Sequence, residues 1–361
     1  MQKISLSLFV CFFCIHLIHA QTWDGGGDGV NWSSANNWNT NAVPVAGGAV
    51  IIPNGSNVTV DGDFSCTSVT FSGAAATLQV NSGFTLTISG AITINHIATG
   101  SNNTTISGAG SILAGSVVIG AATPTLSASG QTKLNVSIAS FSCNGNLGIN
   151  SRNNSGRNAN ASFSLQSGTF TLGGEIRPFI TSSTGQGASF LMTEGIANGT
   201  LVLNNVAPWI GDDDFDENTG WGTNGTASAG IYNVNLNGTN ATVIYNRNGG
   251  QTINRPRRDI VGTVAITYRN LTLAGSGNKD LPSTSTATIT GVLSFQGTAA
   301  MTGTQPIYAV GSTLEYKGSV AQTTNAFEFR TDASAPSNLI IDNSNGVTLH
   351  ADRTLRTSGV N

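Results

Sequence analysis

The chain alternates apolar and polar residues in short pieces, and this period of two constrains its fold more than any other feature. After residue 50 the apolar positions come in pairs such as Val58/Val60 and Leu86/Ile88, and Gly, Asn or Ser separates one piece from the next. Alternation of this kind is typical of half-buried β-strands. No window carries the i, i+3, i+4, i+7 apolar pattern of a substantial helix. The sequence therefore predicts an all-β protein.

Alternation alone leaves a sandwich, a barrel and a solenoid open, but the chain also repeats itself. Val243-Ile-Tyr245 and Gln251 recur, both at the same offset, as Leu314-Glu-Tyr316 and Gln322, and residues 268–273 correspond to 336–341 at a slightly shorter offset. Repeats that cannot bury their apolar face alone must stack into an elongated structure with capped ends. With short strands and corners rich in Gly, Asn and Ser, this favours a right-handed parallel β-helix, or β-solenoid.

Composition agrees with a stacked surface. Only 9% of the 361 residues are charged and the net charge is −3, against roughly 25% charged residues in a typical domain. Ser, Thr and Asn on stacked coils form ladders, whereas like charges on adjacent coils repel. The chain shows no basic patch that could neutralise a phosphate backbone, so we expect no nucleic-acid partner.

The chain divides into four predicted regions. Lys3, the apolar run 4–18 and Ala20 predict a secretory signal peptide over residues 1–20; the alternative, a membrane anchor, needs a longer run of roughly 20 residues. No later segment is expected to span a membrane. A Trp-rich N-terminal cap covers 21–57, a β-solenoid with an acidic loop at 211–218 covers 58–242, and two repeats of about 70 residues each cover 243–361. The second repeat is incomplete, so we expect the solenoid to be truncated at its C-terminus.

Two cysteines remain after cleavage, Cys66 and Cys143, each in a Phe-Ser-Cys triplet. Export permits a disulfide. However, with coils of about 20 residues spaced about 4.8 Å apart, the two lie roughly four coils or 19 Å apart, whereas a disulfide needs Cα atoms within about 7 Å. We therefore favour two small buried hydrophobic residues at similar coil positions.

The Trp residues have two interpretations. Trp23, Trp32 and Trp38 are either a stacking platform for sugars or the cap that closes the first coil, and we favour the cap. Trp209 and Trp221 flank the acidic loop and are candidate ligand-binding residues.

The acidic loop is the candidate metal site. Asp212, Asp214, Asp216 and Asn218 alternate as oxygen ligands of Ca²⁺ do. Glu217 and Thr223 break the EF-hand pattern, which leaves a looser calcium site or a solvated acidic loop. The two carboxyl groups of a glycosidase stand about 5–9 Å apart across a sugar. Neighbouring residues of one hydrophilic loop rarely provide that arrangement, so a glycosidase pair formed by Asp214 with Asp216 or Glu217 is disfavoured.

The basic run supplies the remaining candidate residues. Arg255, Arg257 and Arg258 are candidates for binding an acidic polysaccharide, and the alternative is a surface loop in contact with Asp259. The sequence shows no Gly-x-Ser-x-Gly nucleophile motif, and His96 and His350 have no Cys or Asp at ligand spacing.

Several stretches together resemble a known group of proteins. They are the run from Trp23 to Trp32, Asn37-Trp38, Val43-Pro44, Val50–Pro53 and Val58–Asp61. The two C-terminal repeats add a shared order of Tyr, a Gly-rich stretch, Gln and then Asn-Leu. Over residues 22–100 and 243–359 the chain resembles Bacteroidetes-type secreted repetitive β-solenoid surface proteins. The resemblance implies an adhesin-like passenger, often exported by type IX secretion through a C-terminal sorting domain that is not recognisable here.

These observations predict an exported, non-enzymatic, cell-surface passenger that makes multivalent weak contacts with extracellular glycans or surface proteins. The alternative is a polysaccharide-binding or polysaccharide-cleaving protein, a lectin or β-helical lyase or hydrolase, with a calcium-dependent site near 209–221 and 255–258.

Overall fold

The structure is a computed structural model that describes residues 20–96, 100–121, 131–154, 157–180, 188–192, 198–209, 231–253 and 264–356. These residues form β-strands and no α-helix; the one helical turn among them is the 3-10 helix Ala35–Asn37. In chain order the strands are β1 Gln21–Thr22, β2 Ala49–Ile52, β3 Asn57–Val60, β4 Phe64–Cys66, β5 Ser68–Phe71, β6 Thr77–Val80, β7 Thr85–Asn95, β8 Ser101–Ala121, β9 Gln131–Cys143, β10 Leu147–Asn154, β11 Arg157–Leu165, β12 Thr169–Leu172, β13 Ile176–Ile180, β14 Ala188–Leu191, β15 Thr200–Leu203, β16 Ile231–Asn235, β17 Thr242–Tyr245, β18 Gln251–Thr252, β19 Val264–Leu273, β20 Ser276–Leu281, β21 Ser285–Phe295, β22 Thr298–Gly303, β23 Ile307–Tyr308, β24 Thr313–Tyr316, β25 Gln322–Thr323, β26 Asn338–Ile341 and β27 Val347–Thr348.

The strands wind into a parallel β-solenoid, as predicted. Each coil passes through three faces in turn, and the first complete coil uses β2 for face 1, β3 for face 2 and β4 for face 3. Each of these strands pairs in parallel with a strand of the next coil: β2 with β5, β3 with β6 and β4 with β7. Longer strands such as β8 turn a corner and serve more than one face. The sheets are therefore joined around the stack.

Face 3 keeps one continuous register through eleven strands. Its inward column holds apolar side chains in every coil, which are Phe64, Leu86, Ile112, Phe141, Phe170, Leu201, Val243, Leu271, Leu293, Leu314 and Leu339. Coil length varies greatly around this fixed column: the coil from Leu201 to Val243 takes twice as much chain as the coil from Leu293 to Leu314. The sequence-based value of about 20 residues per coil was therefore too small for most coils.

Aromatic rings fill the centre of the stack. Phe141, Phe170, Phe163 and Phe190 are fully buried, and successive ring centroids along this series lie 5.1, 4.9 and 5.1 Å apart. Trp209 extends the series at 5.4 Å from Phe190. Such pairs contribute about 0.5–1.5 kcal/mol each beyond the burial of their area, so the rings stabilise the contact between coils as well as the core.

The repeat that begins at Val243 corresponds to three coils. Val243 and Leu314 occupy the same column, with Leu271 and Leu293 between them. The repeated glutamines have matching roles: Gln251 donates from Nε2 to the carbonyls of Leu203 and Asn205 in the preceding coil. Gln322 donates in the same way to the carbonyls of Phe295 and Gly297. The repeat therefore preserves a buried amide that locks one coil to the previous one.

The two cysteines are free and buried, as favoured from the sequence. Cys66 pairs in register with Ile88, Ile88 with Ala114, and Ala114 with Cys143. Three coil steps, about 14 Å at ~4.8 Å per step, separate the two thiols, rather than the four steps expected from the sequence. Burial raises the pKa of each thiol to about 12.

The N-terminal segment lies over the first coil. β1 pairs with β2, and Asn31 forms a parallel bridge to Thr59 of β3. The indoles of Trp23, Trp32 and Trp38 are 4%, 0% and 0% exposed. Trp38 contacts the other two rings edge-on, and its Nε1 donates to the carbonyl of Trp32. These indoles therefore pack inward against one another, and the N-terminal cap stays a prediction.

The last described strand of face 3 is less well covered than the others. Ile341 of β26 is 52% exposed, whereas Tyr316, its in-register neighbour in β24, is 1% exposed. The expected truncation of the second repeat stays a prediction.

Candidate functional site

The most regular surface of the solenoid is the outer side of face 3. Along each strand of this face the inward residue is flanked by two outward ones, about 6.6 Å apart, and equivalent residues of successive coils stand about 4.8 Å apart. The first outward row contains Thr85, Ser111, Ser140, Thr169, Thr200 and Thr242. The second row contains Ser65, Thr87, Leu113, Ser142, Thr171, Val202 and Ile244. We call these two rows the hydroxyl rows.

The hydroxyl rows form an uncharged surface. Within the face 3 segments of the eleven strands, only β24 carries a charged residue, Glu315. Ten steps of about 4.8 Å give this face a length of roughly 48 Å. Its outward residues up to Ile244 are half-buried, apart from Leu113 at 37% exposure. Because the side chains are short and packed against their neighbours, little conformational entropy is lost when a partner covers them.

The sequence predicted ladders of Ser, Thr and Asn but did not assign them to one face. That assignment depends on the strand register, and the unequal length of the coils conceals the register in the sequence. The only local signal is the recurring hydroxyl–apolar–hydroxyl triplet, as in Thr85–Thr87, Ser140–Ser142 and Thr169–Thr171.

Trp209, the one candidate ligand-binding residue within the described part, lies in the core. Its indole is 1% exposed, and Nε1 donates to the hydroxyl of Tyr245 at 3.0 Å. The Tyr245 hydroxyl in turn meets that of Tyr268 at 3.3 Å. Burial raises the pKa of Tyr245 to about 12 and that of Tyr268 well above its ordinary value. The ring of Trp209 therefore packs inside the stack and presents no stacking surface to solvent.

The other predicted site residues lie outside the described residues. They are Trp221, Asp212, Asp214, Asp216 and Asn218 in 210–230, and Arg255, Arg257 and Arg258 in 254–263. Within the described ranges, no group of three or more His, Cys, Asp or Glu side chains could hold a metal ion. The calcium site stays a prediction.

The described residues that flank 210–230 and 254–263 lie at one corner of the solenoid, between faces 1 and 2. Trp209 bridges to Ile176 of face 1, and Ile231 pairs with Ala188 of face 2. One coil later, β18 occupies the position of face 1 and β19 pairs with β21 on face 2. The last described residues before each of these two gaps therefore lie on face 1 and the first described residues after it lie on face 2, in two successive coils.

His96 belongs to a buried polar cluster at that same corner, in earlier coils. Its Nε2 lies 2.9 Å from the carbonyl oxygen of Asn150, and its Nδ1 lies 2.8 Å from the hydroxyl of Thr132. A carbonyl only accepts, so Nε2 carries the proton and Nδ1 accepts from Thr132 in the neutral ring. This arrangement joins face 1 to face 2 and assigns His96 a structural role.

A second polar cluster, which sequence reasoning missed, surrounds Glu328 near the C-terminal end. The Glu328 residue is 2% exposed; its Oε1 accepts from the hydroxyl of Tyr316 and the backbone N–H of Asn325, each at 2.8 Å. The backbone oxygen of Glu328 accepts from the hydroxyl of Tyr308 at 2.6 Å. Burial raises the pKa of Glu328 to about 7, although Asn325, Tyr316 and Arg353 oppose the shift.

Comparisons with protein-family models, with curated proteins and with solved structures found no significant match. The class of the protein, a parallel β-solenoid, therefore rests on its own strand register, and the resemblance to Bacteroidetes-type secreted surface proteins stays a prediction. Among the described residues no helix has the length and apolar character needed to cross a bilayer.

Proposed function

We propose that this protein is an exported, non-enzymatic β-solenoid that binds an extended, uncharged extracellular glycan along face 3. The continuous register of the hydroxyl rows carries this proposal. Hydroxyl groups both donate and accept hydrogen bonds, as sugar hydroxyls do, and the uncharged hydroxyl rows leave no buried ion unpaired when a neutral polymer covers them.

The contacts would act through multivalency. One Thr or Ser hydroxyl contributes little, since a net hydrogen bond is worth about 0.5–1.5 kcal/mol. A polymer that lies along several coils meets the same pair of outward positions at each coil, so successive contacts form at high effective concentration. This mechanism needs a rigid, repetitive surface and no deep pocket, which matches the geometry of face 3.

The test compares two double variants with the same change of charge. Thr169→Lys with Thr171→Lys interrupts the hydroxyl rows, and Thr105→Lys with Ser107→Lys places the same lysines on the outward side of face 2, where the native residues are also half-buried. Each protein is run through native gels that contain a neutral linear polysaccharide, and the gels are afterwards stained for intact polymer.

We expect the polymer to retard the unaltered chain and the face 2 variant equally, and the face 3 variant roughly tenfold less, a loss of ~1.4 kcal/mol. Equal retardation of both variants, or no retardation of the unaltered chain by any neutral polymer, would remove face 3 as the binding surface. Cleared polymer behind the band would show an enzyme and overturn the proposal.

A second candidate function uses the corner between faces 1 and 2. Trp209 and Ile253, the last described residues before the two charged segments, lie there in successive coils. This supports a combined polysaccharide site that includes Trp221, the acidic residues 212–217 and Arg255–Arg258. Asp214→Asn with Asp216→Asn tests its calcium requirement. If Ca²⁺ shifts the thermal midpoint of the unaltered chain but not of this variant, the site gains support; if Ca²⁺ shifts neither, the metal part is wrong.

A further inference from the structure

A cavity of about 450 Å³ opens near the C-terminal end of the solenoid. It lies next to face 2, since Val310 follows β23, and the other walls come from residues 331–335 and 354–356. Binding sites for small molecules commonly have volumes of roughly 300–1,000 Å³. The cavity is thus large enough for a small organic ligand, and it is separate from the hydroxyl rows.

Arg356 supplies an unused positive charge to this cavity. Its backbone N–H donates to Pro336, and one terminal nitrogen, Nη2, donates to the carbonyl of Tyr308 at 2.9 Å. Its Nε is buried and has no hydrogen-bond partner. No carboxylate of the described residues forms an ion pair with this guanidinium. A charged donor without a partner is costly, and more so when it is buried, so an anion beside this guanidinium is favoured.

The one carboxylate that lines the cavity is already neutralised. Asp332 forms an ion pair with Arg330 and accepts from the backbone N–H of Ser334. These contacts hold its pKa well below the ordinary range. Because the charges of Arg330 and Asp332 cancel, the charge of Arg356 makes the cavity wall positive overall.

The remaining walls are of two kinds. Thr331 and Thr354 are lining residues that carry hydroxyl groups, and Val310, Ala333, Ala335 and Leu355 are apolar lining residues. An anion that fills the cavity therefore needs a carboxylate at one end and a body with both hydroxyl groups and C–H surface. A bare inorganic anion would use only the guanidinium.

We propose that this cavity binds a small hydroxylated carboxylate of the sugar-acid class, with its carboxylate on Arg356. Guanidinium groups bind carboxylates through paired, charge-assisted hydrogen bonds. The Thr331 and Thr354 hydroxyls bind the hydroxyl groups of the ligand, and the ring C–H surface packs on Val310 and Leu355. This site does not depend on face 3, and it takes a charged ligand where face 3 takes a neutral one.

The experiment follows the arginine Nε–H resonances of the ¹⁵N-labelled chain during titration with sodium D-galacturonate. D-galactose serves as the matched neutral sugar, and sodium sulfate serves as the bare anion. Arg356→Gln removes the guanidinium. Lys133→Gln is a control with the same change of charge, six strand steps of face 2 or roughly 29 Å along the stack from β23. Thr331→Val with Thr354→Val keeps the charge and removes the two hydroxyls.

We expect galacturonate to shift the Arg356 Nε–H resonance saturably, with galactose and sulfate at least tenfold weaker. Arg356→Gln should abolish binding, the double valine variant should weaken it roughly tenfold, and Lys133→Gln should leave it unchanged. Equal binding of sulfate, unchanged binding by the double valine variant, or no saturable shift would each overturn the proposal. The variant with Thr169→Lys and Thr171→Lys should bind galacturonate normally, so a failure of the face 3 proposal is distinguishable from a failure here.

Discussion

Replacing the buried carboxyl of Glu328 by an amide should stabilise the C-terminal coils at high pH and have little effect at low pH. The folded pKa is about 7 against 4.5 for the free group. Because the folded value is the higher one, the folded state binds the proton more tightly than the unfolded state. The stability that the folded state gains from this tighter proton binding is fully present below pH 4.5 and is lost as the pH rises through 7.

The size of the effect follows from the difference between the two pKa values. That difference of about 2.5 corresponds to about 3 kcal/mol at ~1.36 kcal/mol per pKa unit. Glu328→Gln stays neutral at every pH, and its amide oxygen can still accept from Tyr316 and Asn325. The variant should therefore match the native chain at pH 4 and exceed its local stability by about 3 kcal/mol at pH 8.

Native-state hydrogen exchange measures this locally, which suits a solenoid whose coils contact only their neighbours. The amide of Asp342 donates to Tyr316 and reports on the coil that holds Glu328. The protection factor of this amide in Glu328→Gln, divided by its protection factor in the native chain, should rise roughly 200-fold between pH 4 and pH 8. The amide of Thr77, which donates to Ser56, should not change.

Glu315→Gln is the matched control, since Glu315 lies one residue from Tyr316 but points outward on face 3. The reasoning is refuted if the protection ratio of Glu328→Gln is the same at both pH values. It is also refuted if Glu315→Gln produces the same increase, because burial would then not be the cause.

Three further predictions concern the core. Phe170→Ala removes the ring that joins Phe141 to Phe163 and should lower the free energy of unfolding by about 3–5 kcal/mol, which a lower urea midpoint would measure. A loss under ~1 kcal/mol would contradict the packing described. Gly168 has φ +73°, and a Cβ there would clash with the carbonyl oxygen of Ile138, so Gly168→Ala should separate two coils and lower the thermal midpoint. An unchanged midpoint would mean that the close approach is absent. Cys66 and Cys143 should resist maleimide in the native chain and react after unfolding, because both are buried with a pKa of about 12; rapid native labelling would show that the coils are open.

The comparison of sequence with structure is clearest for the two Phe-Ser-Cys triplets. Their identical pattern correctly predicted two buried, unpaired thiols at equivalent coil positions. The number of coils between them was wrong by one, because residues inserted at corners lengthen a coil without adding a strand step.

For the candidate site, too, the sequence predicted some features and missed others. Trp23, Trp32 and Trp38, from which the sequence predicts a cap, have buried indoles, and the cap itself stays a prediction. Trp209 was offered as a ligand-binding residue beside the acidic loop, but its indole completes the aromatic series of the core. A Trp beside charged residues looks the same in the sequence whether its ring faces inward or outward.

The sequence by itself determined the β-strands, the stacked architecture and the low surface charge, because alternation and repeats are local patterns that the chain carries in its order. Only the tertiary structure decided the rest: which hydroxyl groups share face 3, that the repeat beginning at Val243 equals three coils, and that Glu328 and Arg356 lie beside partners or cavity walls from other coils. Those relations depend on the register between strands that a whole coil of variable length separates in the sequence. Register is set by inward side chains packing against the coils above and below, and neighbours along the chain do not reveal it.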